Sequence, residues 1–290
     1  MKQAMAPALD ADRVRRNDLD AAAARQRCLR YRRRILDISQ QVGALHVAPA
    51  FSCTEIVDLI YHDLMRWQEV GQSPGQSPDV FLMSKGHGCM VQYVILEEMG
   101  VLSREDIDLY CKPGGRLGAH PDFGVPGIAA STGSLGHGMG IATGMALAER
   151  LQKRDGKVYL VLSDGECQEG STWEAAMMAA NLKLDNLIAF VDMNDFSGLE
   201  RMSEAHPSFH PLAEKFAAFG WETAQVPGHN ADAIFAAVGD RKGGAPFVAV
   251  CETVKGKGVS YMEHVPIWHY RAPSPEEYRQ ALEELVEISE

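Results

Sequence analysis

From residue 157 onward the chain alternates between two hydrophobic rhythms. The runs KVYLVL (157–162), NLIAFVD (186–192), WETAQV (221–226) and PFVAVCETV (246–254) are short, apolar and rich in β-branched and aromatic residues, so they predict strands. Between them, STWEAAMMAANL (171–182), PLAEKFAAF (211–219) and ADAIFAAV (231–238) carry the spacing of helices. Strands alternating with helices imply parallel β-α-β units. The strands are apolar almost throughout, as expected where helices cover both faces. The predicted fold class is α/β, a doubly wound parallel sheet.

Upstream the pattern is helical. Residues 18–42 place Leu29, Ile35, Leu36 and Ile38 among arginines and predict a helical N-terminal layer. A turn containing Gly43 and Pro49 follows, and Ser52-x-x-Glu55 has the spacing of a capping box opening a second helix through Met65. A further helix is expected over 139–152. GQSPGQSP (71–78) has the composition of an exposed loop. The final stretch, PEEYRQALEELVEISE, sets Tyr278, Ala281, Leu282 and Leu285 on one side and glutamates on the other, predicting a helix that docks on this domain or on a partner. With no internal repeat, residues 18–290 read as one domain behind a solvated lead-in, 1–17.

Composition narrows the function classes. The chain has 290 residues, 46% of them hydrophobic, enough for a substantial core. Its net charge of −11 (28 basic against 39 acidic residues) argues against nucleic-acid binding, but leaves room for a local basic pocket holding a phosphorylated small molecule. Six scattered cysteines without a C-x-x-C pair suggest neither a disulfide framework nor a zinc site. No apolar run is long enough for a bilayer, and the first twenty residues match neither a secretory signal nor a transit peptide. A cytoplasmic protein without a membrane partner is expected.

The candidate chemistry lies at strand ends. Ligands of open parallel sheets bind beyond the carboxyl ends of the strands, at a switch in strand order. Asp164 ends one strand, and Asp192, Asn194 and Asp195 end the next. One crossover would bring Asp164 and Asn194 side by side. A carboxylate and an amide oxygen are hard donors, suited to Mg²⁺ or Ca²⁺ gripping a diphosphate, and Gly165 lets the backbone approach closely. An Asp-Gly pair alone is more often an ordinary turn. Asp-Gly-Glu, the crossover and the terminal Asn together are more specific.

The stretch SDGECQEGSTWEAAMMAANLKLDNLIAFVDMN resembles the thiamine diphosphate motif and, more narrowly, that of the transketolase family. FLMSKGHG (81–88), AHPD (119–122), STGSLGHG (131–138), AFGWE (218–222) and TVKGKGVSYME…WH (253–269) resemble the same family in the same order, from about residue 25 to the C-terminus. The resemblance implies a transferase that moves a two-carbon ketol unit from a ketose, as a rule phosphorylated in that family, to an aldose acceptor, with thiamine diphosphate as electron sink. Full transketolases join this domain to a pyrimidine-binding and a C-terminal domain. The resemblance is therefore to the N-terminal subunit of a split transketolase, implying a partner carrying the remaining domains, an α2β2 assembly, and little activity alone.

Carried over residue by residue, the resemblance makes Asp164, Asn194 and the Phe196 carbonyl metal ligands, with Gly165 and Asn194 touching the diphosphate. It lays Gly133, Ser134 and Leu135 along the aminopyrimidine, where the residues alone read as a glycine turn before a helix. His46, His87, His120 and His269 match active-site histidines. A lone histidine is usually a surface or satisfied core residue, but four in Gly- or Pro-containing loops read better as a cluster suited to proton shuttling and hydroxyl binding. In the family His87 and His120 would face the ketose hydroxyls and the thiazolium, His269 the diphosphate and the reacting oxygen, and His46 the acceptor or the C1 hydroxyl. Lys255 would neutralise phosphate, or be a solvated lysine. Glu169 and Glu174 read either as a solvent-facing first turn or, by resemblance, as a carboxylate network at a dimer interface.

Several positions depart from the family pattern. Ala44-Leu45-His46-Val47-Ala48-Pro49 replaces S-G-H-P-G-G, His137 replaces glutamine, Ser163 replaces the first glycine of G-D-G, and Tyr270 replaces glycine. These changes point to altered substrate choice. The competing readings are an α-type subunit of a 2-oxo acid dehydrogenase and a non-catalytic subunit retaining the fold. The SKGHG, HPD and WH histidines favour ketose chemistry.

Overall fold

The computed structural model describes residues 19–42, 46–67 and 79–286. Its strands are β1 (Val80–Met83), β2 (Val158–Ser163), β3 (Leu187–Met193), β4 (Phe196–Ser197), β5 (Glu200–Arg201), β6 (Glu222–Pro227) and β7 (Phe247–Glu252). Five of them form one parallel sheet in the order β1-β2-β3-β7-β6, and β4 and β5 make a small antiparallel ribbon. The helices are α1 (Ala21–Ser39), α2 (Val47–Ser52), α3 (Thr54–Leu59), α4 (Cys89–Glu98), α5 (Arg104–Asp108), α6 (Gly138–Leu151), α7 (Gly170–Asn181), α8 (Met202–Ala205), α9 (Leu212–Ala218), α10 (Ala231–Gly239) and α11 (Pro275–Glu284).

The strand pleat divides the core. Tyr159 and Val161 point to one face of β2, where Ile35, Phe51, Ile56 and Tyr93 of α1 to α4 pack. Leu160 and Leu162 point to the other, against Met139 and Ala142 of α6 and Ala176 of α7. This is the doubly covered parallel sheet expected from the apolar runs.

Strand β1 was not among the expected strands. Its four residues are too few to show a period, and they merge with the SKGHG segment. Edge strand β6 is only partly buried, so its polar Glu222 and Gln225 are tolerated. The reversal of strand order falls at β6 and β7, beside the β2–β3 pair rather than at it.

The expected capping box is not formed. Ser52 is the last residue of α2, Pro49 lies inside that helix, and Ser52 Oγ donates to the Asp192 carboxylate at 2.5 Å. A hydroxyl-to-carboxylate bond is stronger than a cap on a neutral N–H. The helix continues past α3 as a π-turn, Ile60–Leu64. Helix α11 docks on α1: Tyr278 Oη donates to Asp37 at 2.6 Å, Arg33 donates to the carbonyls of Leu282 and Leu285, and Ala281 and Leu285 are buried. The lead-in 1–17, the loop 71–78, Gly43, Ala44, Leu45 and residues 287–290 lie outside the described residues. Among the described residues no helix is long and apolar enough to cross a membrane.

Candidate cofactor-binding site

Pairing of Ser163 with Asp192 sets the tips of β2 and β3 side by side. Asp164 follows at once and is fully buried. Its carboxylate accepts from the backbone N–H groups of Gly165 at 2.9 Å and Asp195 at 2.7 Å, so one side chain ties the two tips together. Burial, and then the neighbouring Asp192, push its carboxyl up to about 7. A Cβ on Gly165 would meet the Phe196 carbonyl oxygen and Ser197 Cα, both at 3.1 Å, so glycine is what lets these turns close together.

Behind the tips lies a network of buried charge. Lys85 Nζ donates to Asp192, whose carboxylate also accepts from Ser52 and Thr253. Burial opposes both charges, but each stabilises the other: the Lys85 ammonium is held protonated and the Asp192 carboxyl is held below its ordinary range. An ionised carboxylate can only accept. The Asn194 amide must therefore present its NH₂, which donates to Asp192 at 3.1 Å and to Ser52 at 3.3 Å. Its oxygen is thereby turned the other way, where it accepts from Phe196 N at 3.1 Å.

These residues fit a divalent cation. The tips present one carboxylate whose oxygens are held by N–H donors, an amide oxygen of fixed orientation, and the Phe196 carbonyl close against Gly165. All three are hard donors. Among the described residues no group of three or more His, Cys, Asp or Glu is arranged around a metal position. A cation here would rest on a single carboxylate and complete its shell with diphosphate or water oxygens, the habit of Mg²⁺.

A cavity of about 150 Å³ leads from these tips past Gly165, Leu135 and Phe196 to His87, His269 and Tyr270. The four candidate histidines come together from separate segments, His87 and His269 lining this cavity and the His46 ring standing against theirs and that of His120. His46 precedes α2, His87 sits in the turn after β1, His120 lies in the loop before α6, and His269 ends the turn Pro266–His269. The His46 ring lies 5.9, 5.7 and 5.5 Å from those of His87, His120 and His269, and His87 lies 5.2 Å from His269. A Cβ on Gly133, whose φ is +125°, would fall 2.6 Å from the His120 ring, which accounts for glycine there. Ser134 is exposed and Leu135 half-buried in the same loop.

Burial, with neighbouring cationic groups, pushes His46 down to about 4 and His269 to about 3, and His87 well below its ordinary value. These rings are neutral near pH 7 and can donate from one nitrogen while accepting at the other. His46 Nδ1 is buried without a hydrogen-bond partner among the described residues, a polar atom aimed at no protein group. Lys255 is not solvated. It is 2% exposed, donates to the Gly198 carbonyl at 2.9 Å and lies 2.9 Å from His269 Nδ1; burial and Lys85 lower it to about 7.

Glu169 and Glu174 are exposed at the start of α7 and take no part in this cluster. His137 is also exposed, its Nδ1 near the carbonyls of Ser134 and Leu135. Sequence reasoning missed the Lys85–Asp192 pair and the brace made by Glu166. That buried carboxylate accepts from Ser84 Oγ and from Gly136 N, pinning the Gly133–Leu135 loop to the β2 tip. The signals were present: Lys85 stands in SKGHG and Glu166 in Asp-Gly-Glu.

A parallel sheet with this arrangement at its tips defines a cofactor-binding module of the thiamine diphosphate class. Residues 24–279 match the family model described as the thiamine diphosphate binding domain of transketolase, and the chain belongs to that family. It is 37% identical over 260 residues to an apulose-4-phosphate transketolase subunit of Phocaeicola vulgatus, covering 88% of this chain and 91% of that protein. It is 36% identical over 249 residues to a 6-deoxy-6-sulfo-D-fructose transketolase subunit of a Clostridium species, covering 84% and 90%. The crystal structure of transketolase from Campylobacter jejuni superposes with a TM-score of 0.81 at 25% identity, over 92% of this chain but only 43% of that one. The chain thus spans nearly the full length of the subunit-type relatives and about two fifths of the solved transketolase.

Proposed function

We propose that this chain is the diphosphate-binding subunit of a two-chain transketolase, moving a two-carbon ketol unit from a ketose to an aldose acceptor. The observation that carries the proposal is the cavity that runs from Ser163 and Gly165, beside the buried Asp164, to His87 and His269, against whose rings those of His46 and His120 gather. When bound, thiamine diphosphate supplies the nucleophilic carbon and the electron sink for the transfer.

Asp164, the Asn194 oxygen and the Phe196 carbonyl hold Mg²⁺, with Ca²⁺ as the alternative, and through it the diphosphate. Gly165 and the Gly133–Leu135 loop line the cofactor's two ends. His87 and His120 hold the hydroxyls of the ketose and move protons on and off them, His46 meets the acceptor, and His269, held by Lys255, faces the reacting oxygen. The neutral state of His46, His87 and His269 near pH 7 suits these three to this exchange. The two subunit-type relatives are named for a phosphorylated and a sulfonated sugar, so an anionic ketose is the inferred substrate class. Lys85 and Lys255 are both engaged inside the protein, and the countercharge for the anionic tail is expected from the partner.

That partner carries the pyrimidine-binding and C-terminal domains, and two copies of each chain form a symmetric cytoplasmic assembly. Residues 18–290 act as one domain. The test is a two-carbon transfer assay on each chain separately and on the mixture. Activity only in the mixture is expected, and full activity from the 290-residue chain alone would contradict the proposal.

A further inference from the structure

Against the Thr253–Gly258 loop, at Val254, stands a polar chain whose members do not line the cavity. Arg32, buried in α1, donates to both Glu55 oxygens at 2.7 and 2.8 Å and to the Phe51 carbonyl at 2.9 Å. Glu55 lies 2.8 Å from His229 Nδ1, and Val254 N donates to His229 Nε2 at 2.8 Å. The backbone N–H can only donate, so Nε2 must accept and Nδ1 must carry the proton, which it donates to Glu55. The carboxylate is held far below its ordinary range against burial by Arg32 and His229. One tautomer of one imidazole is thus selected by a group on each side.

The backbone places His229 there. Gly228 N donates to the Glu252 carbonyl at 2.7 Å, so the residues leaving β6 lie directly on the end of β7. A Cβ at Gly228 would fall 2.4 Å from Thr253 Cγ2 and 2.9 Å from the Glu252 carbonyl oxygen, so the close approach requires glycine. Gly256 N donates to the Ala48 carbonyl at 3.3 Å, a second tie between the same loop and the helix behind His46.

We propose that His229, oriented by Glu55 and Arg32, is a positioning residue that fixes the Thr253–Gly258 loop and thereby sets Lys255 against His269 in the cofactor cavity. This rests on the reading of Lys255 and His269 as site residues. His229 touches neither of them, and it acts through the backbone at Val254. The helical layer and the sheet are thereby coupled at the active-site loop: α1 and α3 hold the carboxylate, β6 delivers the imidazole, and the loop after β7 is what they position.

The test uses the chain with its partner, in wild-type form and as three variants: His229→Phe, which keeps a ring but neither nitrogen; His229→Gln, which returns an acceptor for Val254; and Gly228→Ala, which removes no polar group but forces the loop away. Hydrogen–deuterium exchange across residues 253–258 is read without cofactor, and the dissociation constant of thiamine diphosphate with Mg²⁺ is read by calorimetry. His229→Phe is expected to speed exchange there and to weaken the cofactor by about ten- to a hundredfold, the scale on which partners one step behind a ligand act. His229→Gln is expected to recover most of both effects, and Gly228→Ala to reproduce the faster exchange. Unchanged exchange in His229→Phe, or equal impairment by Phe and Gln, would overturn the proposal. Should the Phe variant not fold, unchanged exchange in Gly228→Ala would do so alone. Wild-type complex that failed to bind thiamine diphosphate would remove the functional reading and leave the exchange result standing.

Discussion

At the tips of β2 and β3, Asp192 accepts from Lys85, Ser52, Thr253 and the Asn194 amide, and every one of those donors is held by the fold. At the other end the His46 ring stands 5.5 to 5.9 Å from those of His87, His120 and His269, and His87 stands 5.2 Å from His269, with no hydrogen bond between any two of the four among the described residues. The difference separates two tasks. The first end is a fixed frame: its charges are paired in low dielectric, and moving one strands another. A frame of that kind suits a cation and a diphosphate, whose positions need not change during a turnover. The second end is held less: His269 meets Lys255, but His46 Nδ1 has no partner among the described residues, so its ring can answer to a bound sugar.

Breaking the fixed end should cost most. Lys85→Met leaves Asp192 buried without its partner, and a loss of about 3–5 kcal/mol in stability is expected from denaturant titration. Adding Asp192→Leu should restore a large part of it, because the isolated charge is then gone. A double variant as unstable as the single one would show that the pair is not what braces the tips.

At the ring end the effect should appear in rate instead. His87→Ala and His120→Ala are expected to lower kcat of the reconstituted enzyme by about a hundredfold or more while changing cofactor affinity little. Wild-type turnover in both variants would remove the histidines from the chemistry.

The rings also give a pH signature. His46 and His269 have folded-state values near 4 and 3 against an ordinary 6.5. Between those values the unfolded chain binds more protons, so stability is retained above about pH 6.5 and is lost as the pH falls toward 4. Thermal melts over that range should flatten in His46→Gln and His269→Gln. An unaltered slope in both would mean that these rings are not held neutral.

The smallest effect is expected at the mouth. Tyr270 is 56% exposed, with its ring 5.6 Å from that of His46 and 4.5 Å from that of His269. Tyr270→Gly should change the ratio of kcat/KM between short and long aldose acceptors by about tenfold or less, with cofactor binding intact. An unchanged ratio would free Tyr270 of any part in selection.

The same contrast explains what the sequence could and could not say. That Asp164, Gly165 and Asn194 lie at adjoining strand tips was legible because each follows an apolar strand and a single crossover relates them. The parallel sheet was legible for the same reason, in strands long enough to show a rhythm. Strand β1 was not, since four residues carry no period. The Lys85–Asp192 pair joins positions 107 residues apart, and a lysine in a glycine-rich loop reads locally as solvated. Ser52 misled for a physical reason. Its spacing to Glu55 fits a cap, but folding offered its hydroxyl a buried carboxylate and offered Glu55 a buried arginine.

The most direct test of the fixed frame is calorimetric titration of thiamine diphosphate into the two-chain complex, with and without Mg²⁺, for wild type and Asp164→Ala. The substitution removes the one charged ligand at a strand tip and little packing. Metal-dependent binding by the wild type, and its loss in a variant that still folds and still pairs with its partner, is the predicted result. Equal affinity in the two proteins, or binding indifferent to Mg²⁺, would contradict the assignment of Asp164, Asn194 and Phe196 to the metal.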